Sequence, residues 1–159
     1  MMIKLLSGLA LLCLSSASFA DYHCHGSIQD RSIDDNVSIS HNCQINNATI
    51  KGNVMLHQGA QAVISNTSID GNLESKGRFS SVQAQHNRID GNIQLESGQT
   101  IQLTSNQVDG DIQLKKNTQK ITVKDNVIDG NLQCESNRIQ PIGGNNRVKG
   151  DKEGQCRRL

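Results

Sequence analysis

The sequence predicts an all-β chain built as one stack of similar coils, and three observations carry that expectation. A short phrase recurs every 19 or 20 residues: Ile50-Lys51-Gly52-Asn53-Val54, Ile69-Asp70-Gly71-Asn72-Leu73, Ile89-Asp90-Gly91-Asn92-Ile93, Val108-Asp109-Gly110-Asp111-Ile112, Ile128-Asp129-Gly130-Asn131-Leu132 and Val148-Lys149-Gly150-Asp151. Apolar and polar residues alternate around each copy, the period of a strand with one buried face. Proline occurs once in the chain, as continuous strand ladders require. Fixed periods of this length mark repeat architectures.

Aligning on the glycine gives the elements in order. Two residues before it stands Ile or Val in all six copies, and two after it Val54, Leu73, Ile93, Ile112 and Leu132. Four after it come Leu56, Ser75, Leu95, Leu114 and Cys134. A second alternating pair precedes the phrase: Cys43/Ile45, Ala62/Ile64, Val82/Ala84, Ile101/Leu103 and Ile121/Val123. Each repeat therefore contributes at least two short strands. Such strands bury nothing alone; stacked at about 4.8 Å they place like on like in an aliphatic core. Asn87, Asn106, Asn126 and Asn146 each lie four residues before their glycine, a column suited to an internal amide ladder at a sharp turn. The glycines predict a bend where only a hydrogen fits inside. A weaker copy, Ile33-Asp34-Asp35-Asn36-Val37, lies upstream.

Residues 1–20 read as a secretory signal peptide: Lys4, an apolar run from Leu5 to Leu14, and Ser18-Phe19-Ala20 as a small-x-small cleavage site. The domain then spans 21–159, exported to a periplasm or secreted. Cys13 leaves with the leader. Cys24, Cys43, Cys134 and Cys156 remain, an even set that reads as two disulfides. Spacings of 19 and 22 residues, about one coil each, select Cys24–Cys43 and Cys134–Cys156. Stacked coils meet the Cα separation of roughly 4.4–6.8 Å that a disulfide accepts. One bridge would then close each end, where unpaired edges invite aggregation.

The formal charge is +1, and zero without Lys4. A neutral chain has no electrostatic footprint for nucleic acid or an anionic membrane. Tyr22 and Phe79 are the aromatics left after residue 20, a poor set for stacking on bases or sugars. No second apolar run reaches membrane length.

The repeated N-x-[IV]-D-G-N-[IL]-Q-[LC] phrase and its period resemble right-handed parallel β-helix proteins over the whole of 21–159. That resemblance implies a single right-handed solenoid of about six to seven coils of 19–20 residues. The stretch from Gly130 through Cys134 to Cys156 is similar to the ending of a group of small exported bacterial β-helix proteins. The coils are also similar to those of bactofilins, which polymerise end to end but are cytosolic and lack paired cysteines.

Candidate sites are few. Asp70, Asp90, Asp109 and Asp129 form one column, flanked by Lys51 and Lys149. Facing outward, they would be a Ca(II)-binding or docking ridge needing a cation or basic partner among them, unless Asp simply favours the turn before Gly. Lys76, Glu96, Lys115 and Glu135 predict an alternating salt-bridge ladder, and Gln94, Gln113 and Gln133 a hydrogen-bonded one. Cleavage after Ala20 would leave Asp21-Tyr22-His23. Its amine, two amides and imidazole are a square-planar nitrogen set for Cu(II) or Ni(II), with His25 assisting. His41, His57 and His86 show no ligand spacing. No outward Thr column suits ice. The expected function is a non-enzymatic binding or structural module contacting a protein or glycan. Metal handling is the alternative, and a carbohydrate-active enzyme the weakest reading, because the turns are too short to wall a cleft.

Overall fold

A computed structural model describes residues 21–159. The signal peptide and its cleavage site lie outside the described residues. The chain is a parallel β-solenoid with no helix among the described residues. Its strands form three parallel sheets. Sheet 1 has eight strands, from Tyr22–His23 to Lys152–Gly154; sheet 2 has seven, from Gly26–Gln29 to Ile142–Gly144; sheet 3 has seven, from Ser32–Ile33 to Arg147–Val148.

Each full coil thus carries three strands. The alternation through the phrase is split by its glycine. The aliphatic residue before Gly sits in sheet 3 (Ile89 beside Ile69 and Val108), and those after it sit in sheet 1 (Ile93 beside Ile112). The earlier pair forms sheet 2, with Val82 and Ala84 between Ala62/Ile64 and Ile101/Leu103. All three walls point their apolar columns inward, and Ile45, Ile64, Ile93, Leu103 and Ile128 are fully buried. The weak upstream copy joins the first coil to the second, with Ile33 on Ile50 and Val37 between Tyr22 and Val54.

The three corners are built differently. Between sheets 2 and 3 a left-handed residue recurs on every coil: Asp30, Asn47, Asn66, His86, Ser105, Asp125 and Asn145, with φ of 50–58°. Short polar side chains tolerate that conformation best. From Ala48 on, the next residue turns inward, and from Asn87 to Asn146 it forms the asparagine ladder. The backbone N–H and Nδ2 of Asn87 both donate to Oδ1 of Asn106, at 3.1 and 3.0 Å, and Nδ2 also donates to the Ile64 carbonyl. Asn106 does the same to Asn126, and Asn126 to Asn146. Thr67 starts the column by donating its N–H to Asn87 Oδ1.

A second ladder, not foreseen from the sequence, occupies the corner between sheets 1 and 2. Asn117 donates to Asn137 Oδ1 and Asn137 to Gln155 Oε1, again from backbone and side chain together. Left-handed Ser97, Lys116 and Ser136 precede Gly98 and these asparagines.

The phrase glycines form the third corner, and here the expected reason is corrected. Five are half-exposed and Gly150 is exposed, and none has positive φ. A Cβ on Gly71 would lie 2.6 Å from Asn53 Oδ1 and 2.7 Å from the Gly52 carbonyl oxygen. The crowding comes from the coil beneath, not from the core. The residue after each glycine makes a third ladder, in which Asn72 donates its N–H to Asn53 Oδ1 and Asn92 to Asn72 Oδ1, both at 2.8 Å.

Candidate functional site

The cysteines pair as Cys24–Cys43 and Cys134–Cys156, with Cα separations of 6.0 and 5.2 Å. The partners lie on adjacent coils but not in one column. Gly26 is the residue in register with Cys43, and Gly154 the one in register with Cys134. Each bridge therefore crosses a corner diagonally and ties a terminal coil to its neighbour. Such bridges fit an oxidising environment. The C-terminal core is also covered by Leu159, which is 9% exposed.

The aspartate column faces solvent, and the chain brings its own cations. Arg88 Nε meets Asp90 at 3.0 Å while its Nη2 meets Asp109 on the next coil at 2.7 Å. Lys149 holds Asp129 at 2.8 Å, and Lys51 holds Asp34 at 3.0 Å. Arg88 comes from the neighbouring outward column of sheet 3, so reading the aspartate column alone missed it. Asp70 faces solvent at the next position down. Among the described residues no group of three or more His, Cys, Asp or Glu is placed to hold a metal ion.

Sheet 1 corrects both ladder expectations. Lys115 does pair with Glu135, at 3.4 Å. Glu96, though in register with Lys115, is held by Lys116 at 2.9 Å, and Lys76 turns back to Glu74 on its own coil at 3.1 Å. Adjacent Lys115 and Lys116 both lie near Glu96, and Glu74 takes Lys76, so strict vertical alternation fails. The Lys116 hydrogen bond and charge hold the Glu96 carboxyl below its usual range, and Glu96 raises Lys116 in return. Gln94, Gln113 and Gln133 stack in register, but no hydrogen bond joins their amides among the described residues.

At the N-terminal end Asp21 Oδ1 accepts from Asn36 Nδ2 at 3.1 Å. The Tyr22 N–H donates to the Asn36 carbonyl at 2.7 Å, which makes it the first rung of sheet 1. A square-planar metal would need that nitrogen deprotonated and turned inward, so metal binding and this rung exclude each other. His23 and His25 are exposed. With His41 they rim a shallow hollow over Ser38 and Ser40. Ser38 is 5% exposed, and its Oγ lies 2.8 Å from His57 Nε2. Four scattered histidines thus share one corner, which only the register reveals.

The broadest feature is the outer face of sheet 2. Its central column runs Ser27, Gln44, Val63, Gln83, Gln102, Thr122 and closes on the exposed Ile142. The flanking column runs Gln29, Asn46, Ser65, Gln85, Thr104, Lys124 and ends on Gly144. These are the longest strands, five residues in four of the seven. Amides and hydroxyls recur about 4.8 Å apart between coils and about 6.6 Å apart along each strand. No carboxylate stands in either column. The face mixes amides with hydroxyls, so it shows no uniform column in the sequence.

Compared with known proteins, the chain matches no protein-family model, no curated protein and no solved structure.

Proposed function

We propose that this chain is an exported, non-enzymatic binding module whose sheet 2 face docks on a glycan polymer. The observation that carries this reading is the carboxylate-free lattice of amides and hydroxyls from Ser27 to Lys124, interrupted at Val63 and bounded by Ile142. Amides donate and accept at once, as sugar hydroxyls do, and a rigid ladder holds them without further ordering. The near absence of charge on the face argues against a strongly ionic partner. The absence of stacking aromatics makes each sugar contact weak, so affinity depends on many coils engaging one long chain. Export rests on the leader reading of residues 1–20 and on the two cysteine pairs.

The test is co-sedimentation of the oxidised protein with insoluble cellulose, chitin and peptidoglycan, with their short soluble fragments as competitors. Retention on a polymer, with fragments competing poorly, supports the reading. No retention on any polysaccharide sinks it and leaves a flat protein surface as the occupant of this face.

A further inference from the structure

At the C-terminal end, sheet 3 stops at the strand Arg147–Val148, and the position for one more strand is open. A cleft of about 590 Å³ lies there, lined by Val127, Asn146, Arg147, Val148, Lys149 and Lys152. Three features of that cleft point to one kind of occupant.

The asparagine ladder ends unfilled. Each earlier member directs its backbone N–H and one Nδ2 hydrogen at an oxygen from the next coil. Asn146 uses Nδ2 once, on the Val123 carbonyl at 3.0 Å, and is 6% exposed. Among the described residues no oxygen is supplied to its backbone N–H or its second Nδ2 hydrogen. Buried donors of this kind are normally satisfied.

The strand edge is also open. The N–H groups of Arg147 and Lys149 are committed to the Asn126 and Ile128 carbonyls. By the same pattern the carbonyls of Asn146 and Val148 face the empty position, ready to accept from an added strand. Val148 is partly buried against the core and offers an apolar seat. The rim is cationic: Arg147 and Lys152 stand beside Lys149, which also holds Asp129.

We propose that this edge binds an extended acidic segment of a partner protein as one additional parallel strand. The segment carries Asn or Asp at the ladder position, its side-chain oxygen accepting both Asn146 donors. Two residues on, an aliphatic side chain covers Val148, and an acidic residue follows toward Lys149 and Lys152. That order, Asx-x-aliphatic-acidic, is the one in the coil beneath, Asn126-Val127-Ile128-Asp129. The site shares no residue with the sheet 2 face, so the two proposals stand or fall separately.

The experiment is an NMR titration of the isotopically labelled, oxidised chain with a blocked peptide of the order Ser-Asn-Gln-Val-Asp-Gly, the chain's own residues 105–110. The control peptide has Ala for Asn and Lys for Asp. The proposal expects shifts centred on 146–149, and at least about tenfold weaker binding by the control and by the double variant Arg147→Glu/Lys152→Glu, each tenfold being about 1.4 kcal/mol. An unchanged melting temperature shows that the variant folds, and its unchanged retention on polysaccharide keeps the two sites distinct. Shifts elsewhere, equal binding of the control, or no shift at millimolar peptide overturn the proposal. Shifts at 146–149 that follow protein concentration alone also overturn it, because the occupant would then be a second copy.

Discussion

The Phe79 ring fills the space that Gly98, one coil on, leaves empty: a Cβ at 98 would fall within the ring. Phe79 is fully buried, and the two residues share the column that continues as Asn117, Asn137 and Gln155. The amide ladder therefore stops at Gly98, whose N–H still donates to Asn117 Oδ1 at 2.9 Å, and an aromatic plug replaces it below. Gly98→Asn restores the column's own residue yet is expected to destabilise by about 1–3 kcal/mol through overpacking. Phe79→Ala is expected to lose about 3–5 kcal/mol. The double variant should lose clearly less than the sum, measured by denaturant unfolding as a double-mutant cycle. Additive losses would show that the two sites do not share this space.

Asn106 satisfies Asn87 and the Ala84 carbonyl and donates to Asn126. Asn106→Ala strands several buried groups at about 1–3 kcal/mol each, so a loss of about 3 kcal/mol or more is expected. Asn53→Ala, in the half-exposed third ladder, should lose less, since water reaches its partners. Urea midpoints of the two variants decide the order.

The terminal bridges should act locally, because each coil contacts its neighbours only. Replacing Cys24 and Cys43 by Ser is expected to speed amide exchange at Tyr22 and Cys24, which donate to the Asn36 and Ser38 carbonyls. Exchange in Ile93–Glu96 at the centre should hold. Uniform acceleration along the solenoid would contradict this picture.

Glu96 and Lys116 contribute in a defined pH window. Glu96 is depressed in the fold, so its contribution is present above the ordinary carboxylate pKa and fades as pH falls through the folded value. Lys116 is raised, so its contribution fades as pH rises through its folded value. Both groups are exposed, and the effect is small. The stability difference between wild type and Glu96→Gln should shrink from neutral to acid pH; a difference that grows would contradict the pairing.

Any metal bound at the amino terminus is expected to compete with the Tyr22 rung. If Asp21 is the first residue, Cu(II) should bind the free peptide Asp21–His25 at least about tenfold more tightly than the oxidised domain, a difference of about 1.4 kcal/mol. Chelator competition measures it. Equal affinity would mean that the Tyr22 rung opens without penalty.

Much of this was legible in the residues. The period placed Ile69 on Ile89 and Asn106 on Asn126, because stacked coils put identical positions together. The two cysteine pairs followed from one-coil spacing, although their diagonal path needed the true register. What escaped depended on angles between columns. Arg88 reaches Asp109 from another column, Lys116 displaces Lys115 at Glu96, and Ser38 meets His57 of the adjacent coil from a different column. The second ladder was hidden because Phe79 and Gly98 interrupt it. The split of the phrase into two sheets was hidden because alternation continues across the glycine corner.

The most direct test of the glycan reading places charge on one face at a time. Gln83→Lys with Gln102→Lys plants two cations on sheet 2, and Gln94→Lys with Gln113→Lys plants the same two on sheet 1. Both variants should melt close to wild type, since these side chains point outward. The account predicts that polysaccharide retention falls at least about tenfold for the sheet 2 variant, a change of about 1.4 kcal/mol, and holds for the sheet 1 variant. Retention lost equally in both, or kept in both, would contradict it.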